Sequence, residues 1–220
     1  MDSSRAAICH VGSPAPAPAG VPEAAVLKAV AAFDFDGTLT RRDTLAGFVG
    51  RVAGWPRVAL AFAAESPRIA GVVLGRTDRD DTKQRFLGRV LGGRTRDAIA
   101  AAGRSYGDHL AAHKIRPEMR ERIAWHRAEG HEVVIVSATL DAYLQPVADA
   151  LAIDALLCSR LEYDVHGRCT GRLIDGNCRG PAKVARLEQY LGMEPAVIWA
   201  YGDSAGDDEM LARADHPIRV

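Results

Sequence analysis

Apolar residues fall into two patterns along this chain. Val26–Phe33, Val133–Val136, Val197–Tyr201 and the terminal Pro217–Val220 are short runs, almost wholly apolar. Such continuous runs read as strands buried on both faces, the habit of a parallel sheet. Elsewhere the apolar positions recur at helical spacing. Val184, Leu187 and Leu191 give an apolar stripe to a helix opened by Pro181, and a further helix is expected over Leu140–Leu151. The long stretch between the first two runs is mostly helical in pattern, most clearly at Thr95–Leu110 and Pro117–Ala128. Asp164–Gly167 is a turn signal between strand-like flanks, so a hairpin is expected there.

One segment, 48–74, is apolar without clean periodicity. Arg51, Pro56, Arg57, Glu65, Pro67 and Arg68 interrupt it too often for a membrane span. The pattern predicts two short helices separated near Ser66-Pro67, because proline stops the helix before it. Trp55 with its flanking arginines would let this pair lie on a membrane surface. The other reading is a bundle burying its own apolar faces.

Composition narrows the picture. A chain of 220 residues suffices for one α/β domain with a modest insertion. Residues 1–24, rich in Ala, Pro, Ser and Gly, read as a disordered extension. No secretory signal is expected, and Cys9, Cys158, Cys169 and Cys178 have neither CxxC nor zinc spacing, which suggests a reducing cytosol and no structural disulfide. The net charge is zero, with 28 Lys+Arg against 28 Asp+Glu, yet residues 41–127 hold 18 basic against 9 acidic residues. A basic insertion over an acidic remainder would attract anions; arginine-rich solvated helices are the plainer reading.

The candidate chemistry sits at the ends of the apolar runs. Asp34 and Asp36 follow the first run, alternate residues on a strand, and Gly37 permits a sharp turn beside them. Two such carboxylates can hold a hard cation, attack an electrophile, or share acid and base roles. A calcium loop counted from Asp34 fails, since positions 39 and 45 are both leucine where glycine and glutamate are needed. Ser137, ending the second run, either donates to an oxyanion or caps the next helix. Lys183 lies on the helix opened by Pro181, and Asp203 and Asp207 follow the third run. Asn177 and Arg179, in a glycine-flanked loop leading to Lys183, can supply donors to a substrate or stand as solvated turn residues.

Taken in order, DFDGTLT (Asp34–Thr40), the strand ending at Ser137, Lys183 and GDSxxD (Gly202–Asp207) resemble the four motifs of the haloacid dehalogenase superfamily, in its phosphoserine phosphatase-like branch. The resemblance implies an α/β fold, a Rossmannoid parallel-sheet core from 25–42 and 129–220 with a helical cap inserted at 43–128. It implies a Mg²⁺-dependent phosphomonoesterase that passes through an aspartyl-phosphate. Asp34 would be nucleophile and metal ligand. Asp36 would be acid and base, and lend its backbone carbonyl to the metal. Ser137 with Ala138 and Thr139 would hold the phosphoryl group, and Lys183 would neutralise it. Asp203 would complete the metal site, and Asp207 would hold Lys183 or a metal-bound water. Ser137-Ala138-Thr139 departs from the Ser-Gly-Gly of phosphoserine phosphatase, and Asp36-Gly37-Thr38 from its Asp-Ser-Thr. The runs Ser137–Ala148 and Gly176–Leu187 resemble the bacterial group that includes phosphatidylglycerophosphatase C. The substrate expected is a small phosphorylated metabolite or a lipid phosphate, with no nucleic-acid partner. The protein would be cytoplasmic, or peripheral at a membrane through residues 48–74. A phosphomutase, and a non-catalytic phosphate- or partner-binding protein on the same scaffold, are the alternatives.

Overall fold

The apolar runs become neighbouring strands of one sheet. In the computed structural model, which describes residues 27–220, six strands stand in the order β4-β3-β2-β1-β5-β6. They are β1 (Lys28–Phe33), β2 (Glu132–Leu140), β3 (Ala155–Tyr163), β4 (Cys169–Ile174), β5 (Ala196–Gly202) and β6 (His216–Arg219). All neighbours are parallel except β3 and β4, which form the hairpin expected around Asp164–Gly167. The extension expected over 1–24 lies outside the described residues, as does Cys9.

Both faces of the central strands are buried, which is why their sequences run apolar without alternation. Val30, Ala32, Val134, Val136, Ile198 and Ala200 pack against α7 (Pro181–Leu191) and α8 (Asp208–Arg213). Ala31, Phe33, Val133, Ile135 and Tyr201 face the other way, into a cluster with residues of α5 (Pro117–Ala128) and α6 (Asp141–Ala150). On that face buried His126 places its ring nitrogens 2.8 Å from His131 Nδ1 and 2.9 Å from the Tyr201 hydroxyl. Burial, then His131 and Arg122, pull its pKa down to about 4, so it is a neutral core histidine.

The remaining helices are α1 (Leu45–Ala53), α2 (Trp55–Val73), α3 (Arg79–Leu91) and α4 (Arg96–His113). Helix α4 lies tight on α6: a Cβ at Gly103 would sit 1.9 Å from the Ala142 carbonyl oxygen. Helices α1, α2 and α3, within the inserted cap, roof the cavity at the carboxyl ends of β1, β2 and β5.

The helix break expected at Ser66-Pro67 is not there. It falls at Gly54, whose φ of 80° closes α1, and α2 runs on through Pro67. Proline removes one N–H from a helix and leaves the carbonyl four residues back without its donor. Here the Ser66 hydroxyl donates to that carbonyl, Ala63 O, at 2.8 Å. Two residues before the proline, Glu65 is buried and accepts from Arg89 of α3 at 2.5 Å, which ties α2 to its neighbour. No helix among the described residues is long and apolar enough to cross a membrane.

Candidate active site

Strand β1 delivers Asp34 to the sheet edge, where its backbone N–H donates to Tyr201 O of β5 at 2.9 Å. The chain then makes a wide turn over Phe35–Leu39 in which Gly37 takes φ +91°. A Cβ there would meet Asp203 Oδ2 at 2.2 Å, so glycine is required for the turn and the β5 loop to approach this closely. Arg116, preceding α5, clamps the same turn by donating to Gly37 O at 3.3 Å and Thr38 O at 3.5 Å.

Lys183, from the first turn of α7, is 2% exposed and donates to Asp34 Oδ1 and Asp207 Oδ1, each at 2.5 Å. Burial alone would lower its pKa; the two carboxylates outweigh that and raise it, so the ammonium persists. Burial raises the Asp34 carboxyl, with Lys183 opposing and Asp207 adding to the rise. Asp207 is lowered overall: burial pushes it up, but Lys183 and the Ser204 N–H and hydroxyl, at 3.0 and 2.9 Å, pull harder.

Carboxylate oxygens of Asp34, Asp203 and Asp207 all lie within 4.8 Å of one another. One ammonium serves Asp34 and Asp207, while the Asp203 carboxylate receives, among the described residues, a single 3.4 Å hydrogen bond from Thr38. Three carboxylates facing one ammonium leave surplus negative charge with an all-oxygen donor set. That fits a hard divalent cation such as Mg²⁺.

Asp36 is held differently. Its Oδ1 accepts from the Thr44 N–H at 2.9 Å and the Thr44 hydroxyl at 2.7 Å, and its Oδ2 from the Thr139 hydroxyl at 2.7 Å. Burial pushes its pKa up to about 6, against those hydrogen bonds. Ser137 is 1% exposed and its hydroxyl donates to Thr139 Oγ1 at 3.1 Å. Strand β2 leaves its register with β3 between Ser137 and Leu140, which turns Ala138 and Thr139 out of the sheet and towards the cavity.

That cavity, about 770 Å³, brings together Asp34, Asp36, Ser137, Ala138, Thr139, Asn177, Arg179, Lys183, Asp203 and Asp207. Asn177 is turned to internal bonds: its amide donates to Asp80 Oδ1 at 2.8 Å, and its carbonyl accepts from Lys83 and from Ser159. Arg179 lies against Gly206 at the edge of the cavity. Sequence reasoning missed Thr44, Arg116 and Lys83. Thr44 and Arg116 stand next to recognisable features, a turn and a helix-opening proline, but neither residue type signals its partner. Lys83, pulled down to about 8 by burial, reaches from α3 to the core. Its stretch, Asp80-Asp81-Thr82-Lys83, has no spacing that separates it from a solvated face.

The chain matches the haloacid dehalogenase-like hydrolase family over residues 31–212, a span that holds every one of these groups. The protein belongs to that family. It is thus an enzyme of the haloacid dehalogenase-like hydrolases, with the α/β core and inserted cap of its phosphoserine phosphatase-like branch. Among curated relatives, Protein CicA of Caulobacter vibrioides is 36% identical over 184 residues, 84% of this chain and 82% of its own. Two solved structures share the fold. A Bordetella pertussis Tohama I protein of unknown function has a TM-score of 0.75 at 24% identity, covering 88% of this chain and 90% of that one. A phosphoserine phosphatase captured as a phospho-aspartyl intermediate analogue has a TM-score of 0.56 at 20% identity, covering 86% and 84%.

Proposed function

We propose that this hydrolase is a Mg²⁺-dependent phosphomonoesterase working through an aspartyl-phosphate on Asp34. The observation that carries the reading is Asp34 itself: buried, bonded to a shared ammonium, beside the under-neutralised Asp203, and opening on the same cavity as Asp36. The solved phosphoserine phosphatase, a phospho-aspartyl intermediate analogue, supports it by likeness of fold. Asp34, Asp203 and the backbone carbonyl of Asp36 would hold the cation, with Asp207 beside them. When bound, the cation would balance the negative charge that gathers on the phosphoryl oxygens.

Asp34 attacks phosphorus, a P–O bond to its carboxylate forms, and the ester P–O bond breaks. Lys183 opposes the rise that burial imposes on the Asp34 carboxyl and offsets charge on the phosphoryl group. Asp36, with a pKa near 6, starts protonated in a useful fraction near neutral pH and gives its proton to the departing alkoxide. A water then attacks the aspartyl-phosphate and passes a proton to Asp36. Inorganic phosphate leaves, and Asp34 is restored. Ser137, at the foot of the cavity, holds a phosphoryl oxygen by its hydroxyl.

The substrate is a phosphomonoester of a small metabolite or a lipid. Phe62, Ile69, Val72 and Val73 of α2 give the cavity an apolar wall, which supports an apolar alcohol. Sedimentation with anionic liposomes tests the lipid version; a protein indifferent to vesicles counts against it. The reaction itself is tested by phosphate release from p-nitrophenyl phosphate with Mg²⁺ and with chelator. A wild-type protein that releases none, or that Asp34→Asn merely equals, ends the phosphatase reading.

A further inference from the structure

Several cations line the cavity that the proposed reaction leaves unused, and of these Lys83 is tied to the core by two short hydrogen bonds. Helix α3 presents Arg79, Thr82, Lys83 and Phe86 to the cavity, and Lys83 reaches furthest across it. Its ammonium donates to Ala138 O at 2.6 Å and to Asn177 Oδ1 at 2.7 Å, both neutral oxygens. Asn177 is itself fixed by Ser159 at 3.0 Å and Asp80 at 2.8 Å, so the ammonium is held in place rather than loosely extended. A lysine has three donors, and these contacts use two.

The contrast with Lys183 is in charge. Lys183 sits between two carboxylates, whereas among the described residues no carboxylate forms an ion pair with Lys83. A partly buried ammonium held by carbonyl oxygens alone carries an unmatched charge, and an anion from outside the chain would complete it. Asp80, then Asp36 and Asp43, act on it through space. Ala138, whose carbonyl it holds, precedes Thr139, whose hydroxyl donates to Asp36 Oδ2, so Lys83 stands on the Asp36 side of the cavity. In the phosphatase reading that is where the alcohol departs.

Resting on that reading, we propose that Lys83 selects the substrate, binding a second anionic group carried by the alcohol that leaves. The preferred substrates are then phosphomonoesters with a carboxylate or a further phosphate a few bonds from the ester oxygen. Neutral alcohols lack the group that Lys83 would hold.

Two matched pairs test this: phenyl phosphate against 3-carboxyphenyl phosphate, and propyl phosphate against 1,3-propanediol bisphosphate. The first pair reads a carboxylate, the second a second phosphate. Wild type favours the more anionic member of at least one pair by about tenfold or more in kcat/KM, mostly through KM, as expected of one charge-assisted hydrogen bond. Lys83→Met removes that preference, and Lys83→Arg retains part of it. A wild type with no preference in either pair overturns the proposal, and so does a Lys83→Met variant that loses equally on both members. Titration calorimetry of the same four compounds on Asp34→Asn, with and without Lys83→Met, reads the preference without turnover. If wild type hydrolyses nothing, the phosphatase reading fails, while the calorimetric ratio still decides the role of Lys83.

Discussion

Two lysines face one cavity from opposite walls, and they are held in opposite ways. Lys183 rises from the core between Asp34 and Asp207, its charge matched more than once over. Lys83 descends from the cap onto Ala138 O and Asn177, its direct contacts neutral oxygens and no carboxylate in ion-pair contact among the described residues. The core wall is therefore polar, with its ammonium paired before any ligand arrives and surplus negative charge left on its carboxylates. The cap wall is apolar along α2 and carries cations along α3, Arg79 and Lys83. On the proposed reading, the difference teaches where each kind of information resides: the reaction in the core, and the choice of substrate in the cap.

The largest effect should come from the core. Asp34→Asn is expected to lower Mg²⁺-dependent phosphate release by at least about a thousandfold, as loss of a nucleophile does. A variant within tenfold of wild type would erase the division between the walls. Lys183→Met comes next, because it leaves two buried carboxylates without their shared cation. Chemical denaturation without metal should show a loss of about 3–5 kcal/mol, partly recovered by adding Asp207→Asn; an unchanged midpoint would mean that Lys183 is not the charge centre of the core wall.

Thr44→Val probes the seam between the walls. Its hydroxyl bond favours the charged form of Asp36, so losing it raises the Asp36 pKa from about 6. A general acid must be protonated, so activity on alkyl phosphates falls as pH rises through that pKa, and the variant's falling limb should move upward by about one pH unit. A limb that stays put, or moves downward, would remove Asp36 from the acid's role. The smallest effect belongs to the cap: Ser66→Ala deletes the donor to Ala63 O and should cost about 1 kcal/mol in stability, with little change in turnover. A large loss of activity would show that α2 does more than wall the cavity.

The core was far more legible than the cap. Parallel strands covered on both faces must be continuously apolar, and the acids Asp34 and Asp36 stood out where such a run meets glycine, whereas Ser137, Lys183 and Asp203 were picked out through the resemblance to four ordered motifs. The cap obeys weaker rules. Pro67 reads as a helix stop because sequence alone does not reveal that the Ser66 hydroxyl will replace the missing donor. Lys83 is one basic residue among many, and only the packing of α3 over the cavity distinguishes it. Asn177 read as a free donor, yet its amide is turned to Asp80 and its carbonyl to Lys83, partners 97 and 94 residues away in sequence.

Thr44 also precedes α1, so the first helix of the cap begins on the carboxylate of Asp36. Two hydrogen bonds from that one residue stand against burial, which raises the Asp36 pKa. Where the first cap helix begins and how firmly Asp36 keeps its proton thus depend on one residue, eight positions along the chain from the carboxylate.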